Sequence, residues 1–443
     1  MGNLQTPRST VQKLQTALHA KAKAEPDFRF YALYDKMYRP DMLAYAYSCC
    51  RANKGAAGVD ERTFEDIEAY GRERWLGELA QALREESYRP EAVRRVYIPK
   101  PNGKQRPLGI PCLRDRVCMT AATLVLGPIF EADLPAEQHA YREDRNALSA
   151  VKEVQRLLET GHRQVVDADL SAYFDVIPHV ELMKSVARRV VDRRMLHLLK
   201  MWLEAPVEET DARGRKKRTT PNRDSKRGTP QGSPISPLMA NIYMRRFILG
   251  WKRLGLEARF GARIVNYADD MVICCKRAAE EALQSLRQLM ERLKLTVNEE
   301  KTRICQIPKE RFDFLGYTFG LSYSPKTGRR YVSPRPSRKS IRSLIEEIHE
   351  QTNQRTLLQD TTQKVEHLNR MLVGWSNYFQ VGPVSRAYRT IDVYTAARLR
   401  RWLCRKHKKR TGDNTCYPHK YLYQQLGLVC LLKRERRLLW AKA

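Results

Sequence analysis

The sequence is short of acid. Against 81 Lys and Arg stand 50 Asp and Glu, leaving a net charge of +31 over 443 residues. A surplus of that size is out of place in an enzyme of small neutral substrates. It fits a long polyanion, above all nucleic acid. No apolar run is long enough to span a bilayer, so no membrane partner is expected. No Cys-x-x-Cys pair occurs. The ten cysteines lie far apart or as neighbours (Cys49–Cys50, Cys274–Cys275), which excludes a disulfide scaffold and points to a reducing compartment. Internal repeats and heptads are absent, which excludes a solenoid or a long coiled coil. With 42% apolar residues the chain folds, and its length allows two to four domains.

Residues 1–70 read as helical. Tyr31, Tyr34, Met37, Tyr38 and Met42 recur at helical spacing, with Pro40 as an interruption, and core packing explains them best. A loop is expected over 53–58 and a charged helix over 72–86. Residues 94–99 alternate like a strand and break at Pro101-Asn102-Gly103-Lys104, a hairpin signal. Helices follow at 113–130 and 147–158, then a strand at 164–170. Residues 211–227 carry Arg213, Arg215, Lys216, Lys217, Arg218, Arg223, Lys226 and Arg227 against Asp211 and Asp224. That composition predicts a solvated hairpin or loop able to touch phosphates. A strand, tight turn and strand cover 262–275, a helix 277–293, and short strands run on to Phe319. Composition shifts at Pro334-Arg335-Pro336-Ser337, the best domain boundary. A basic helical segment follows, and residues 401–443 hold twelve Lys and Arg against two acids.

The sharpest chemical signal is Asp269-Asp270 between the apolar runs Ile264-Val265 and Met271-Val-Ile273. At a hairpin tip such carboxylates repel and lose solvation unless a cation compensates them. Magnesium, which favours carboxylate and phosphate oxygens, suits them. A surface Asp-Asp turn is the bland alternative. A second apolar run, Val165-Val166, leads to Asp167 and Asp169, which share one face of a strand. If this strand adjoins the hairpin, Asp169, Asp269 and Asp270 converge. Three carboxylates can hold two Mg²⁺ ions about 4 Å apart, the clamp for in-line nucleotidyl transfer.

Six ordered blocks resemble those of the group II intron-encoded reverse transcriptase/maturase family. They are Ile98-Pro-Lys-Pro-Asn-Gly-Lys-Gln-Arg-Pro-Leu-Gly-Ile-Pro111, Val165-Val-Asp-Ala-Asp-Leu-Ser-Ala-Tyr-Phe-Asp175, Gly228-Thr-Pro-Gln-Gly-Ser-Pro-Ile-Ser-Pro-Leu-Met-Ala-Asn241, Tyr267-Ala-Asp-Asp270, Phe314-Leu-Gly316 and Leu368-Asn-Arg-Met-Leu-Val-Gly-Trp-Ser-Asn-Tyr-Phe379. The resemblance covers nearly the whole chain. It implies an α+β right-hand polymerase with an antiparallel palm sheet, helical fingers and a helical thumb/maturase domain. The expected divisions are an N-terminal extension and fingers at 1–165 and a palm at 166–330 with an inserted basic loop at 208–227. A thumb/maturase domain at 335–405 and a basic DNA-binding tail at 406–443 complete them.

The resemblance also implies roles. Asp169, Asp269 and Asp270 match the catalytic metal ligands. Lys100 and Arg106 match residues that reach one triphosphate, where charge alone reads as a solvated turn. Phe174 matches the ring beneath the incoming sugar that disfavours a 2′-hydroxyl, with a core aromatic as the alternative. Gln231 matches a position against the nascent pair. Lys301 matches the basic residue after the palm helix, a candidate proton donor to pyrophosphate. Phe314, Leu315 and Gly316 match the hairpin supporting the primer end. Asp175 and His179 match a structural pair. Arg142, Arg145, Arg213, Lys216, Lys217, Arg405, Lys406, Lys408, Lys409 and Arg410 are expected on nucleic acid. Trp375, Tyr378 and Phe379 suit base stacking, but their spacing favours a helix core.

This chain departs from the family pattern in Ala140-Tyr-Arg-Glu-Asp-Arg-Asn-Ala-Leu148, where Glu143-Asp144 replaces a Pro-Gly turn and Leu148 a histidine. Cys404, His407, Cys416 and His419 have zinc-like spacing, but the basic run around His407 argues against a zinc site. Second-strand cleavage is not expected. The implied function is RNA-directed DNA synthesis from dNTPs on an RNA template and DNA primer. Binding of intron RNA to promote splicing, and support of intron mobility, accompany it, in a bacterial cytoplasm or nucleoid. The alternatives are an intron-independent reverse transcriptase of DNA repair or phage defence, and a splicing-only RNA-binding maturase.

Overall fold

In a computed structural model of the chain, residues 6–99, 103, 105–211, 213–324, 327–409 and 416–434 are described. Lys100 and Arg410 lie outside the described residues, as does most of the Pro101–Lys104 turn.

The first third is largely helical because its apolar residues recur at helical spacing, and Thr6 and Thr63 cap two of its helix starts. Thr6 accepts from the Ser9 amide at the head of the helix Pro7–Ala24. Pro40 does not interrupt a helix, as expected above, but opens Pro40–Ala52. The first helical position needs no amide hydrogen, so proline is suited to it. These helices pack on Leu113–Glu131, which is apolar on nearly every side and buries Val117, Ala121, Val125 and Ile129 completely. Tyr34, Met37 and Met42 enter the same core, whereas Tyr31 faces solvent.

Eleven strands among the described residues form three sheets. They are β1 (Val93–Pro99), β2 (Gln105–Ile110), β3 (Gln164–Asp169), β4 (Val207–Thr210), β5 (Lys216–Thr219), β6 (Ala262–Tyr267), β7 (Asp270–Cys275), β8 (Arg303–Gln306), β9 (Phe312–Phe314), β10 (Tyr317–Tyr323) and β11 (Arg330–Pro336). One sheet has the order β2-β1-β4-β5. The basic stretch expected as a hairpin or loop is a hairpin, and its first strand pairs in parallel with β1, Val93 against Val207. It therefore extends the β1–β2 sheet rather than standing as an insertion on the central sheet. Tyr97 Oη on β1 donates to Glu209 Oε1 at 3.0 Å and holds it there, while buried Glu208 joins the hairpin's own two strands, accepting from Arg218 Nε at 2.7 Å.

The central sheet, β6-β7-β3-β8, is antiparallel throughout. Behind it pack the helices Ser236–Arg253 and Ala279–Arg292. The third sheet, β11-β10-β9, turns Phe312, Phe314 and Phe319 onto Val165, Val265 and Val272 of the central sheet. The strand β11 runs through the compositional shift at Pro334–Ser337.

After it come the helices Arg338–Gln351, Thr361–Tyr378 and Ser385–Lys406, with their own core around Leu368, Ile391, Leu399 and Trp402. Phe379 and Val381 leave that bundle and enter the core of the third sheet. Trp375 and Phe379 lie against each other at 4.4 Å, and Tyr317 Oη donates to the Tyr378 carbonyl at 2.5 Å. The aromatic set is thus core, as its spacing favours. Among the described residues no helix is long and apolar enough to cross a membrane.

Candidate active site

The register of β3 on β7 sets Asp169 opposite Asp270. At that end the chain turns through Ala268 (φ +58°), and Leu170 N donates to the Asp269 carbonyl at 3.3 Å. The three aspartates expected to converge therefore meet where the two inner strands of the central sheet end. Buried Asn266 braces the turn, its Nδ2 donating to the Ala268 carbonyl at 2.9 Å and to the Asp270 carbonyl at 3.3 Å.

The electrostatics show what this convergence costs. Burial, then the charges of Asp269, Asp169 and Asp167, push the Asp270 carboxyl up to about 7. Asp167 is also raised, to about 6, by burial against the pull of Arg303. Arg303 Nε stands 3.5 Å from Asp167 Oδ2, which suits a structural place for Asp167 one strand position behind the turn. The local cation is Lys301: its Nζ lies 2.9 Å from Asp169 Oδ2, and Asn298 Nδ2 donates to the same oxygen at 3.0 Å. With Asp169 turned onto that pair, no three His, Cys, Asp or Glu side chains among the described residues stand together as a ready ligand set. The donor chemistry nevertheless fits a hard divalent ion. All three groups are carboxylates, and an ammonium already stands in for the missing charge.

Around the acids the other expected residues divide. Arg106 is exposed on β2, near enough for its charge to act on the Tyr141 hydroxyl. Half-buried Phe174 meets the Tyr141 ring edge-on at 6.4 Å and 82°. Gln231 Nε2 donates to Asp175 Oδ2 at 2.8 Å, and its carbonyl accepts from Gly109 N at 2.6 Å. The Gly228–Ser236 loop is thereby fastened to β2. Glycine is required there: Gly232 has φ +100°, and a Cβ on it would stand 2.5 Å from the Gly109 carbonyl oxygen. His179 Nε2 is bonded to the Gly228 carbonyl at 2.8 Å.

Leu315 (φ +48°) and Gly316 (φ +78°) form a tight turn between β9 and β10. Ser340 Oγ holds the Gly316 carbonyl at 3.0 Å, and Tyr378 Oη holds the Leu315 carbonyl at 2.7 Å. Phe314 corrects its expected role as primer support. It is buried in the third sheet's core, because alternate residues of β9 face inward, and only the turn beyond it is presented.

Arg142 also corrects its expectation. It donates to Glu131 Oε1 through Nε (2.8 Å) and Nη2 (2.5 Å), and to the Pro135 and Gln138 carbonyls through Nη1. A guanidinium so occupied braces the loop instead of meeting nucleic acid. Arg145 is half-buried and donates to the Ala136 carbonyl at 2.7 Å. Lys406 is likewise taken up, its Nζ on the Leu357 and Gln359 carbonyls at 2.9 and 2.7 Å. Arg213, Lys217, Arg405, Lys408 and Lys409 are exposed, as is Lys216, which lies 3.8 Å from Glu208. Cys404 is buried in the helical core, Cys416 is exposed and His419 stacks on Tyr423 at 5.8 Å.

Sequence reasoning missed Tyr141, Asn266 and Asn298. Tyr141 carries a positive φ of 56°, rare for an aromatic residue, and its hydroxyl is raised by burial and by Asp269. Its place next to Arg142 in a recognised block was the available signal. Asn298 was visible three residues before Lys301. Asn266 had none beyond its place in the strand.

An antiparallel sheet that ends in clustered acids, flanked by an exposed arginine and a glycine-tight loop, defines a nucleotidyl-transferring enzyme. The reverse transcriptase (RNA-dependent DNA polymerase) family profile matches residues 98–319, half of the chain, and the chain belongs to that family. The maturase-specific domain of group II introns matches residues 341–417, so the chain is a reverse transcriptase with a maturase domain. It is similar to protein YkfC of Escherichia coli (strain K12), 33% identical over 371 residues, 74% of this chain and 93% of that protein. It is 30% identical over 281 residues to the group II intron-encoded protein LtrA of Lactococcus lactis subsp. cremoris, 62% of this chain and 43% of LtrA. A putative COX1/OXI3 intron 1 protein of Saccharomyces cerevisiae is 25% identical over 360 residues, 69% of this chain and 41% of that protein. The chain thus spans nearly all of YkfC but less than half the length of these intron-encoded relatives.

Proposed function

We propose that the protein copies RNA into DNA from a primer 3′-end, and that it also binds group II intron RNA, promoting its splicing and supporting its mobility. The observation that carries the catalytic half is the direct pairing of Asp169 with Asp270, with Asp269 at the same turn. The RNA-binding half rests on the maturase-domain match and the likeness to LtrA. In this reading the central sheet is the palm, the β1–β2 sheet and the helices before it are the fingers, and residues 335–405 are the thumb, with a DNA-binding tail beyond 406.

Asp169, Asp269 and Asp270 would hold two Mg²⁺ ions, with Asp169 turning away from Lys301 to do so. When bound, such ions activate the primer hydroxyl and offset the charge of the triphosphate and its leaving pyrophosphate. Lys301, once released, keeps its ammonium beside the reaction as a proton source for the leaving group. Arg106, and Lys100 beyond the described residues, would grip the dNTP triphosphate, the guanidinium by a two-pronged contact. Phe174, held on edge by Tyr141, would exclude a sugar 2′-hydroxyl. Gln231 and its loop would lie against the nascent pair, and the Leu315–Gly316 turn would support the primer end.

The test is a D269A/D270A protein assayed on poly(rA)/oligo(dT) and, separately, for splicing of a group II intron transcript. cDNA synthesis is expected to vanish and splicing to remain. Surviving cDNA synthesis would refute the catalytic assignment, and absence of any splicing stimulation by the unaltered protein would refute the maturase half.

A further inference from the structure

Behind the central sheet, four helices enclose a cavity of about 460 Å³. It is contributed by the ends of Leu113–Glu131 and Ser236–Arg253, by His179–Ala187 with the residue after it, and by Ala279–Arg292 with the residue after it. Six cations line it: Lys184, Arg188, Arg245, Arg246, Arg253 and Arg292. Asp133 is the one acid in the lining. It is already shared, with Arg188 Nη2 at 3.5 Å and Arg189 Nε at 3.4 Å. Arg245 and Arg246 spend donors on the Asp133 and Glu181 carbonyls. Lys184, Arg253 and Arg292 have no carboxylate within ion-pair distance among the described residues and are exposed. The Arg245 guanidinium is held below its ordinary value by burial and by Arg188, Arg189 and Arg253. Six cations against one lining acid leave the cavity with a net positive field.

Its floor is different. Phe130, Ile242, Leu249, Leu289 and Leu293 make it apolar, and Gly250 leaves room, since a Cβ there would meet only Leu289 Cδ2 at 3.7 Å. A cationic rim over an apolar floor matches a nucleotide unit, phosphates outside and base inside. A regular duplex presents phosphate ridges but no free base, and so satisfies only the rim. RNA supplies unstacked bases at loops and bulges.

The cavity is not part of the catalytic site. The helix Ser236–Arg253 starts beside the Gly228–Ser236 loop, where Ser236 Oγ donates to the Pro230 carbonyl at 2.9 Å. The lining residues of this helix run from Ile242 to Arg253, about 9 to 26 Å along the axis from Ser236 at 1.5 Å per residue.

We infer that this cavity is a seat for an unstacked nucleotide of a folded RNA, with the flanking phosphates held by Lys184, Arg253 and Arg292. The inference rests on the reading of the chain as an intron-RNA binder and adds a second RNA contact, remote from the template–primer cleft.

Two variants test it. K184Q/R253Q/R292Q removes the rim charge. G250M fills the floor and keeps every charge. Binding is measured against a labelled, folded group II intron transcript and against a perfect RNA duplex over a salt series. Primer extension on poly(rA)/oligo(dT) is measured in parallel. The charge variant is expected to weaken transcript binding at least tenfold and to lower the salt slope by about two. G250M is expected to weaken the transcript and spare the duplex. Both are expected to extend primers normally, with unchanged Tm. Transcript affinity unchanged in either variant overturns the inference. So does equal loss on transcript and duplex in G250M, which would mark a general basic surface, and so does lost primer extension. Failure of the unaltered protein to bind the transcript at all would instead sink the intron reading on which it rests.

Discussion

Lys301 and Asp169 form an ion pair inside the cluster of acids, Nζ to Oδ2 at 2.9 Å. A tethered cation thus occupies one of the carboxylates proposed to hold a divalent ion, and in that reading the two compete. Removing it in K301A is expected to tighten Mn²⁺ binding, up to about tenfold for a charge-assisted contact, while slowing nucleotide addition. Calorimetry on the one hand and single-turnover extension on the other would read the two effects. A loss of Mn²⁺ affinity in K301A would contradict the competition.

Asp270 is expected to make divalent-ion binding depend on pH. Its carboxyl is raised to about 7, so the protonated form prevails below that pH and cannot ligate. Divalent-ion affinity is expected to climb from pH 6 to pH 8, up to about tenfold for each unit below the midpoint. In D270N this rise should flatten. An equally steep rise in D270N would assign the proton elsewhere.

The Phe174 and Tyr141 rings meet edge to face, their centres 6.4 Å apart. If the pair polices the sugar, F174V should raise rNTP use relative to dNTP use by tenfold or more, about 1.4 kcal/mol. Y141A should do so more weakly, because Phe174 keeps its bulk and loses only its brace. Competition assays on one template report the ratio. Identical ratios in all three proteins would return Phe174 to a purely packing role.

Away from the site, Asp115 is buried beneath Tyr88, whose hydroxyl donates to it at 2.5 Å. Burial raises its carboxyl from 3.8 to about 6. The folded state therefore favours the neutral acid: its contribution is full below about pH 4 and lost as pH rises through 6. The ionised group costs about 3 kcal/mol at pH 7.5. Relative to the unaltered chain, D115N should gain up to about that much between pH 4 and pH 7.5 in denaturant melts. Parallel pH profiles for the two proteins would count against the shift.

The acids were legible because a strand puts its residues in register. Val165-Val166 and Ile264-Val265 are apolar enough to demand a sheet; the first leads straight into Asp167 and Asp169, the second reaches Asp269-Asp270 after Asn266-Tyr267-Ala268. The turn Tyr267–Asp270 needs only local sequence. Trp375 and Phe379 were readable as core from helical spacing alone. Charge misled where it was buried: Arg142 reads as a surface cation until Glu131, at the end of the preceding helix, is seen to accept from it. The parallel pairing of β4 with β1 was also hidden, since nothing in Val207–Thr210 names a partner so far upstream. Phe314 was misplaced because the resemblance names a turn, whereas strand alternation decides which of its residues faces out. Pro40 shows the remaining ambiguity, as the same residue that stops one helix starts another.

The two named regions of the chain cannot be bought separately. Phe379 and Val381 complete the core of the β9–β11 sheet, and Gly382, at φ +76°, sits so close to the Pro334 carbonyl that any side chain would collide with it. A gene cut at the end of β11 would leave that sheet with an open apolar face, and its product would be prone to aggregate. Selection for copying alone must therefore preserve Phe379, Val381 and Gly382, so a lineage that abandons its intron keeps this end of the maturase bundle as part of its polymerase.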